Sequence, residues 1–352
     1  MMTDLAKGIS LYPGLEHSLE ENLEQLRTAA EMGISRLFLS FHIPETDPAA
    51  FGETVQPLLR AAREWDMETV GDLVPGNPVP EELTALRLDD GFTGADMAEL
   101  QQKYPGRKLV LNASAMNGEQ LRELAREGVD FSRVEALHNF YPHPHTGLSE
   151  SYLLQQNTLF HEAGIPVGAF VASQAGRRGP LEEGLPTLEQ DRHREVSLAA
   201  RQLAALGTDA VYIGDDGPDR QELEALARLS GDVLELTLQV WEPRPLYKIL
   251  AGHVYETRPD EAEEVIRTVN SRALWKEAEI PEFPFRRCHA GDVTLDNPRY
   301  GRYAGELEIC LTELPADRRV DVLGRIPEEE RFLLKYLKGG RKFRFRVVEM
   351  GH

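Results

Sequence analysis

Between Val134 and Ser149 the chain reads V-E-A-L-H-N-F-Y-P-H-P-H-T-G-L-S, an apolar run that turns into a proline-rich loop carrying His138, Asn139, Tyr141, His143 and His145. Imidazole, amide and phenol groups at the end of a buried strand are the material from which α/β enzymes build sites. Carboxylates stand at comparable points: Asp72, Asp89 and Asp215 close apolar runs, and Glu135 lies somewhat deeper in its own run. Paired carboxyls in unlike environments are what glycoside hydrolysis uses, one as acid and one as base or nucleophile. Any one of them could instead cap a following helix or pair with Arg87 and its neighbours; their joint occurrence at strand ends is the stronger signal.

The histidines also raise a metal. His138, His143 and His145 with a carboxylate could hold Zn²⁺ or another divalent ion. However, His143 and His145 flank a proline instead of sharing a strand face, and no H-E-x-x-H or cysteine pair accompanies them. Loop hydrogen bonding or sugar contact is the plainer reading, and no metal is expected. The stretch Gly176 to Gly184 (G-R-R-G-P-L-E-E-G) could bind an anion through Arg177, Arg178 and backbone N–H groups, or be a mobile loop. It lacks the spacing of a Walker loop or dinucleotide fingerprint, so no cofactor is expected. Further on, D-N-P-R-Y-G-R-Y from Asp296 gathers Asn297, Arg299, Tyr300, Arg302 and Tyr303 in one turn. Arginine forks suit phosphate or carboxylate and tyrosine faces suit sugar rings; a solvated hairpin with ordinary charges accounts for the composition equally well.

The elements that must position these groups follow a β-α rhythm. Strands are expected at Lys7–Tyr12, Arg36–Phe41, Glu68–Leu73, Leu83–Asp89, Lys108–Ser114, Arg133–Tyr141, Pro166–Ala172 and Asp209–Asp215. Helices such as Gly118–Glu127, Ser149–Ala163 and Asp191–Leu206 lie between several of them, each ending near a glycine. Eight strands with interposed helices point to a (β/α)8 TIM barrel, whose site lies at the C-terminal strand ends. Alternation then assigns faces. Leu86 and Leu88 suit the helix side, which turns Arg87 and Asp89 to the axis; the same rule turns Ser40, His42, Asn112 and Ser114 inward. After Asp216 the texture changes, and alternating apolar residues at Tyr303–Leu311, Val320–Leu323 and Lys342–Val348 predict a small β-rich domain. The expected domains are 1–235 and 236–352.

The 352 residues suffice for a barrel and a second domain, and 41% hydrophobic with 28% charged residues is a globular composition without a membrane-span run. A formal net charge of −20 argues against a nucleic-acid partner, and requires that any bound phosphate be met by a local group of cations or N–H donors. Two cysteines and no signal-peptide core at Met1–Gly8 lead us to expect a cytoplasmic protein. Oligomeric state is not legible.

Six segments, G-I-S-L-Y-P at Gly8, L-R-L-D-D-G-F at Leu86, L-N-A-S at Leu111, H-N-F-Y-P-H-P-H-T-G-L at His138, G-L-P-T-L-E at Gly184 and D-N-P-R-Y-G-R-Y-A-G-E-L at Asp296, resemble in order the 6-phospho-N-acetylmuramidase family, glycoside hydrolase family 170. The resemblance implies that the β-rich domain is cyclophilin-like. It also implies a glycosidase that cleaves 6-phospho-N-acetylmuramyl-N-acetylglucosamine in cell-wall recycling. On this basis Asp72 and Asp89 are the expected carboxylate pair, with Glu135 and Asp215 in reserve. Expected substrate contacts are Ser10, Tyr12, Asn112, His138, Asn139, Tyr141 and His143 in the barrel, and Arg272, Asn297, Arg299, Tyr300 and Arg302 beyond it. The partner is a small phosphorylated sugar. The alternatives are a metal-dependent barrel hydrolase or isomerase, and a non-catalytic sugar-phosphate-binding protein.

Overall fold

A computed structural model describes residues 5–41, 48–73, 79–88, 91–242, 244–275 and 283–350. The chain forms two compact units that divide between Leu229 and Ser230. In the first, β1 (Ala6–Leu11), β2 (Arg36–Leu39), β3 (Glu68–Leu73), β4 (Ala85–Leu88), β5 (Lys108–Asn112), β6 (Val134–Leu137), β7 (Val167–Val171) and β8 (Ala210–Ile213) close into a parallel barrel. Around it run α1 (Leu19–Glu31), α2 (Pro48–Glu64), α3 (Gly94–Lys103), α4 (Gly118–Arg126), α5 (Glu150–Glu162), α6 (Val196–Ala205) and α7 (Arg220–Ala227).

Local chemistry sets the helix starts. Ser18, Thr93 and Asn117 each accept a backbone N–H three residues on, while Glu21, Asp96 and Gln120 reach back to the cap, satisfying donors that the first turn leaves unpaired. The helix expected from Asp191 begins instead at Val196. Glu189–Asp191 is a 3₁₀ turn, with Asp191 bound to Arg194 and Glu189 to Arg192.

Alternation along the strands stacks three kinds of side chain on the barrel axis. At the N-terminal end four charges form a ring: Arg36 pairs with Glu68 at 2.6 Å and with Glu135 at 2.8 Å, and Lys108 pairs with both carboxylates, at 2.7 Å for Glu135. Above it lie Phe38, Val70, Val110, Phe170 and Tyr212. Phe38 meets Phe170 edge to face at 5.4 Å, and Phe170 lies 5.5 Å from Tyr212. Gly8 makes room for the last ring, since a β-carbon there would sit 2.2 Å from a Tyr212 ring carbon. Polar groups occupy the C-terminal end.

The second unit is one seven-stranded sheet in the order β10-β15-β9-β14-β12-β13-β11. Its strands are β9 (Val233–Val240), β10 (Tyr255–Glu256), β11 (Val265–Arg267), β12 (Asp292–Asp296), β13 (Leu307–Cys310), β14 (Val320–Arg325) and β15 (Lys342–Glu349), with α8 (Leu246–Ala251) and α9 (Ser271–Trp275) between them. β9 pairs with β15 from Val233 to Val240. That ladder draws all of β9 into the second unit, so the division precedes the expected 235/236. Among the described residues no helix is long and apolar enough to cross a membrane.

Breaking a largely buried charge pair by removing one partner costs about 3 kcal/mol or more, because the other charge stays buried. Glu135→Gln should therefore lower the urea midpoint sharply, and an unchanged midpoint would overturn the role of the ring in stability.

Candidate active site

The C-terminal rim gathers side chains from most of the strands. Asp72, the inward residue near the end of β3, accepts hydrogen bonds from Ser40 Oγ at 2.7 Å and from the Phe41 backbone N–H. Both donors come from the end of β2, so neighbouring strands fix the orientation of this carboxylate. Arg87, inward on β4, donates to Asn139 Oδ1 and lies over the Phe38 ring at 5.6 Å. Asn112 ends β5, and its Oδ1 accepts the Ser114 N–H at 3.0 Å.

The floor beneath them is aromatic. Phe140 packs edge to face on Phe38, Phe170 and Tyr12, at 6.2, 5.2 and 6.3 Å. A second guanidinium, Arg178, stacks on Tyr12 at 4.5 Å and Phe140 at 5.4 Å, and its Nε is buried without a hydrogen-bond partner among the described residues. Tyr12 is buried and donates its hydroxyl to the Gly214 carbonyl, and Ser10 is fully buried on the same strand. Both are buried and belong to the floor of the rim.

The loop that presents Arg178 is anchored from the next β-α unit. Asp215, just past β8, accepts the backbone N–H groups of Ser173, Arg178 and Leu185 at 2.9, 3.0 and 3.1 Å. Glu222 of α7 accepts Ser173 Oγ and the Gln174 N–H, each at 2.6 Å. Burial pushes the Asp215 carboxyl up to about 6, opposed by its three N–H donors. Asp215 thus positions the loop that carries Arg178. Glu135, in the ring at the opposite end of the barrel, is removed from the rim.

His138 also departs from expectation. Alternation turns it outward, where it is fully buried between Ser114 Oγ, 3.2 Å from Nδ1, and Asn157 Oδ1 of α5, 3.0 Å from Nε2. Asn157 donates onward to the Leu206 carbonyl at 3.2 Å, which orients its amide and assigns the proton to His138 Nε2. Ser114 Oγ in turn accepts the Asn139 N–H at 2.9 Å. The buried imidazole therefore holds Asn139 in place through Ser114.

The loop beyond is held by residues that the sequence did not single out. Arg192, nearly fully buried, donates to the carbonyls of Tyr141, Gly184 and His143 at 2.9, 3.1 and 3.2 Å. Its partner Glu189 accepts the N–H groups of His145 and Gly147, and the bond from Arg192 is the main cause holding its carboxyl down to about 2. Tyr141 stands half-buried, its phenol pushed up by burial. His143 is exposed, with Nδ1 2.8 Å from the Pro144 carbonyl oxygen. Among the described residues no three His, Cys, Asp or Glu side chains are grouped to hold a metal ion. His42 and Asp89 lie outside the described residues.

In the second unit, Asn297 is buried and structural: Oδ1 accepts the Arg299 N–H at 3.1 Å and Nδ2 donates to the Arg318 carbonyl at 3.0 Å. Arg299 and Arg302 are exposed, while half-buried Tyr300 stacks under Arg319 at 4.5 Å. Arg272 lies 3.8 Å from Glu306 and donates to the Arg302 carbonyl. The hollow beside this turn, about 530 Å³, is lined by Asp296, Glu306, Glu308 and Asp317. Burial, with Glu308, Glu306 and Asp317 nearby, pushes Asp296 up to about 8. An anion brought to the turn would be met on its exposed arginine side and repelled from the hollow.

A closed (β/α)8 barrel with carboxylate, amide and guanidinium groups at its C-terminal rim is the arrangement of a barrel enzyme. Two family models cover nearly the whole chain, the 6-phospho-N-acetylmuramidase N-terminal domain over residues 7–228 and its C-terminal domain over 234–346. The chain belongs to the 6-phospho-N-acetylmuramidase family, and is a phosphosugar glycosidase. Among solved structures it is similar to an uncharacterized B. cereus protein, with 29% identity and a TM-score of 0.86 over 98% of this chain and 100% of that one. It is also similar to a conserved protein of unknown function from Enterococcus faecalis, with 30% identity and a TM-score of 0.70 over 97% and 96% of the two chains. A search of curated proteins returned no match.

Burial holds the His138 imidazole down to about 4. The unfolded chain takes up this proton near pH 6.5 and the folded chain only near pH 4, so the contribution is complete above pH 6.5. It is lost as pH falls through that window, at up to about 1.4 kcal/mol per pH unit. Urea melts at pH 7 and pH 5 should differ more for the wild type than for His138→Gln; equal differences would overturn the assignment.

Proposed function

We propose that the enzyme hydrolyses 6-phospho-N-acetylmuramyl-N-acetylglucosamine in the cytoplasm, in recycling of cell-wall fragments. The observation that carries the reading is the rim itself, in a chain matched by the family throughout. Asp72 is oriented by two donors, and Arg87 and Arg178 lie above one aromatic floor. Such a substrate carries a phosphate and a lactyl carboxylate, and two guanidiniums supply charge-assisted bonds to both. In a chain of net charge −20 such local cations are needed to hold an anion. The aromatic floor offers an apolar surface to a sugar ring. Free, buried Cys288 and Cys310 suit a reducing compartment.

Hydrolysis needs one carboxyl to protonate the leaving glycosidic oxygen. A second either attacks the anomeric carbon or orients the 2-acetamido group so that its carbonyl oxygen attacks. We assign these roles to Asp72 and Asp89, the latter on the sequence reading alone. Asn139, fixed by Arg87 and by the Ser114–His138–Asn157 chain, supplies a neutral amide to the sugar hydroxyls or acetamido group. Arg299 and Arg302 remain proposed anion contacts.

The test is incubation with 6-phospho-N-acetylmuramyl-N-acetylglucosamine and its unphosphorylated counterpart, following released sugar by mass. Release from the phosphorylated compound is expected, and no release from it overturns the substrate. Asp72→Asn should lower kcat by two to four decades with the fold intact, about what a positioned acid or base contributes. Arg178→Gln should raise KM for the phosphorylated compound at least tenfold, the loss of a charged hydrogen bond. If Arg178→Gln changes KM equally for both compounds, the phosphate is not its partner.

A further inference from the structure

The second unit contains a hollow of about 350 Å³, within the range that takes a small ligand. Its walls are the segment Thr257–Ala262 beyond β10, β11, Gly291, Leu311 after β13, and the stretch from Arg331 to Lys338. The polar lining is unlike the rest of the chain. Arg258, Arg267, Arg331, Lys335 and Lys338 line it against two carboxylates, Asp260 and Glu261. Five cationic side chains thus line one hollow in a chain whose formal net charge is −20.

The carboxylates are spent unevenly. Asp260 accepts from Arg258 at 2.9 and 3.0 Å and from Arg267 at 2.8 Å, and Glu261 lies 3.9 Å from Lys338. Arg331 has no carboxylate at ion-pair distance among the described residues; its Nε reaches the Ile326 carbonyl at 3.5 Å. The guanidinium lies against Gly291, where a β-carbon would sit 2.8 Å from Nε, and the φ of +87° at Gly291 favours glycine on backbone grounds as well. Thr257 is 2% exposed, and its hydroxyl has no hydrogen-bond partner among the described residues. The remaining wall is aliphatic: Val265, Ile266, Leu311, Leu334 and Leu337.

We propose that this hollow binds a small organic phosphate, its dianion held by Arg331 and the neighbouring cations and its carbon skeleton laid on the aliphatic wall. A phosphate monoester carries close to two negative charges at neutral pH, and a guanidinium fork engages two of its oxygens. The site is built from the second unit alone and stands whether or not the barrel cleaves the proposed disaccharide.

Phenyl phosphate, a dianion on an apolar ring, is the probe for the full chain, read by hydrogen exchange and titration calorimetry. Protection is expected in residues 257–267 and 328–338. At least a tenfold loss of this binding is expected in Arg331→Gln/Lys335→Gln, with its binding retained in Arg178→Gln. Protection confined to barrel segments overturns the site, as does a double variant that binds within twofold of the wild type. Benzoate binding as tightly as phenyl phosphate overturns the phosphate assignment. Should the double variant fail to fold, the wild-type exchange pattern decides alone.

Discussion

Closing eight parallel strands into a ring leaves every second side chain pointed at a single axis, and that crowded axis sets the terms for the rest of the barrel unit. Charges can be accommodated at the N-terminal end only as a closed set, which is why Arg36, Glu68, Lys108 and Glu135 pair in a ring. The middle accepts aromatic rings where a neighbouring strand yields space, as Gly8 does for Tyr212. Groups at the C-terminal end, Asp72, Arg87 and Asn139 among them, are polar, and the aromatic layer below separates them from the ring of charges.

The rim owes its order to carboxylates and one imidazole that bind backbone and side-chain groups of its loops. Asp215 and Glu222 each bind backbone or hydroxyl donors of the loop after β7. In the loop after β6, Glu189 accepts backbone N–H groups and Arg192 donates to backbone carbonyls. His138 joins β6 to α5 and steadies Asn139 through Ser114. Several acidic and histidine side chains that draw attention in the sequence are therefore spent on holding backbone, as buried polar groups must be satisfied.

Much of the barrel was legible because its signals are local. Apolar runs and glycines after helices mark elements within a few residues. Two-residue alternation turned Arg87 inward from Leu86 and Leu88 alone. The same rule applied past Leu137 would have sent His138 outward; the density of polar residues in the loop concealed it. Asp215 and Glu135 were harder to place, since their partners lie far along the chain. The donors to Asp215 are 42, 37 and 30 residues away, and Arg36 is 99 residues from Glu135. No window of sequence contains such pairings. Arg178 stood out only as half of an R-R pair, and its place over Tyr12 depends on that distant anchoring.

The tether from Asp215 and Glu222 has a mechanical consequence. A loop whose backbone N–H groups are bound by the following strand end and helix cannot swing without unpairing a buried carboxylate. Arg178 is therefore fixed to the β8–α7 unit as if it belonged to that unit's own framework. Any opening of the rim must come from segments other than this one, and the Arg178 guanidinium keeps its place over Tyr12 throughout.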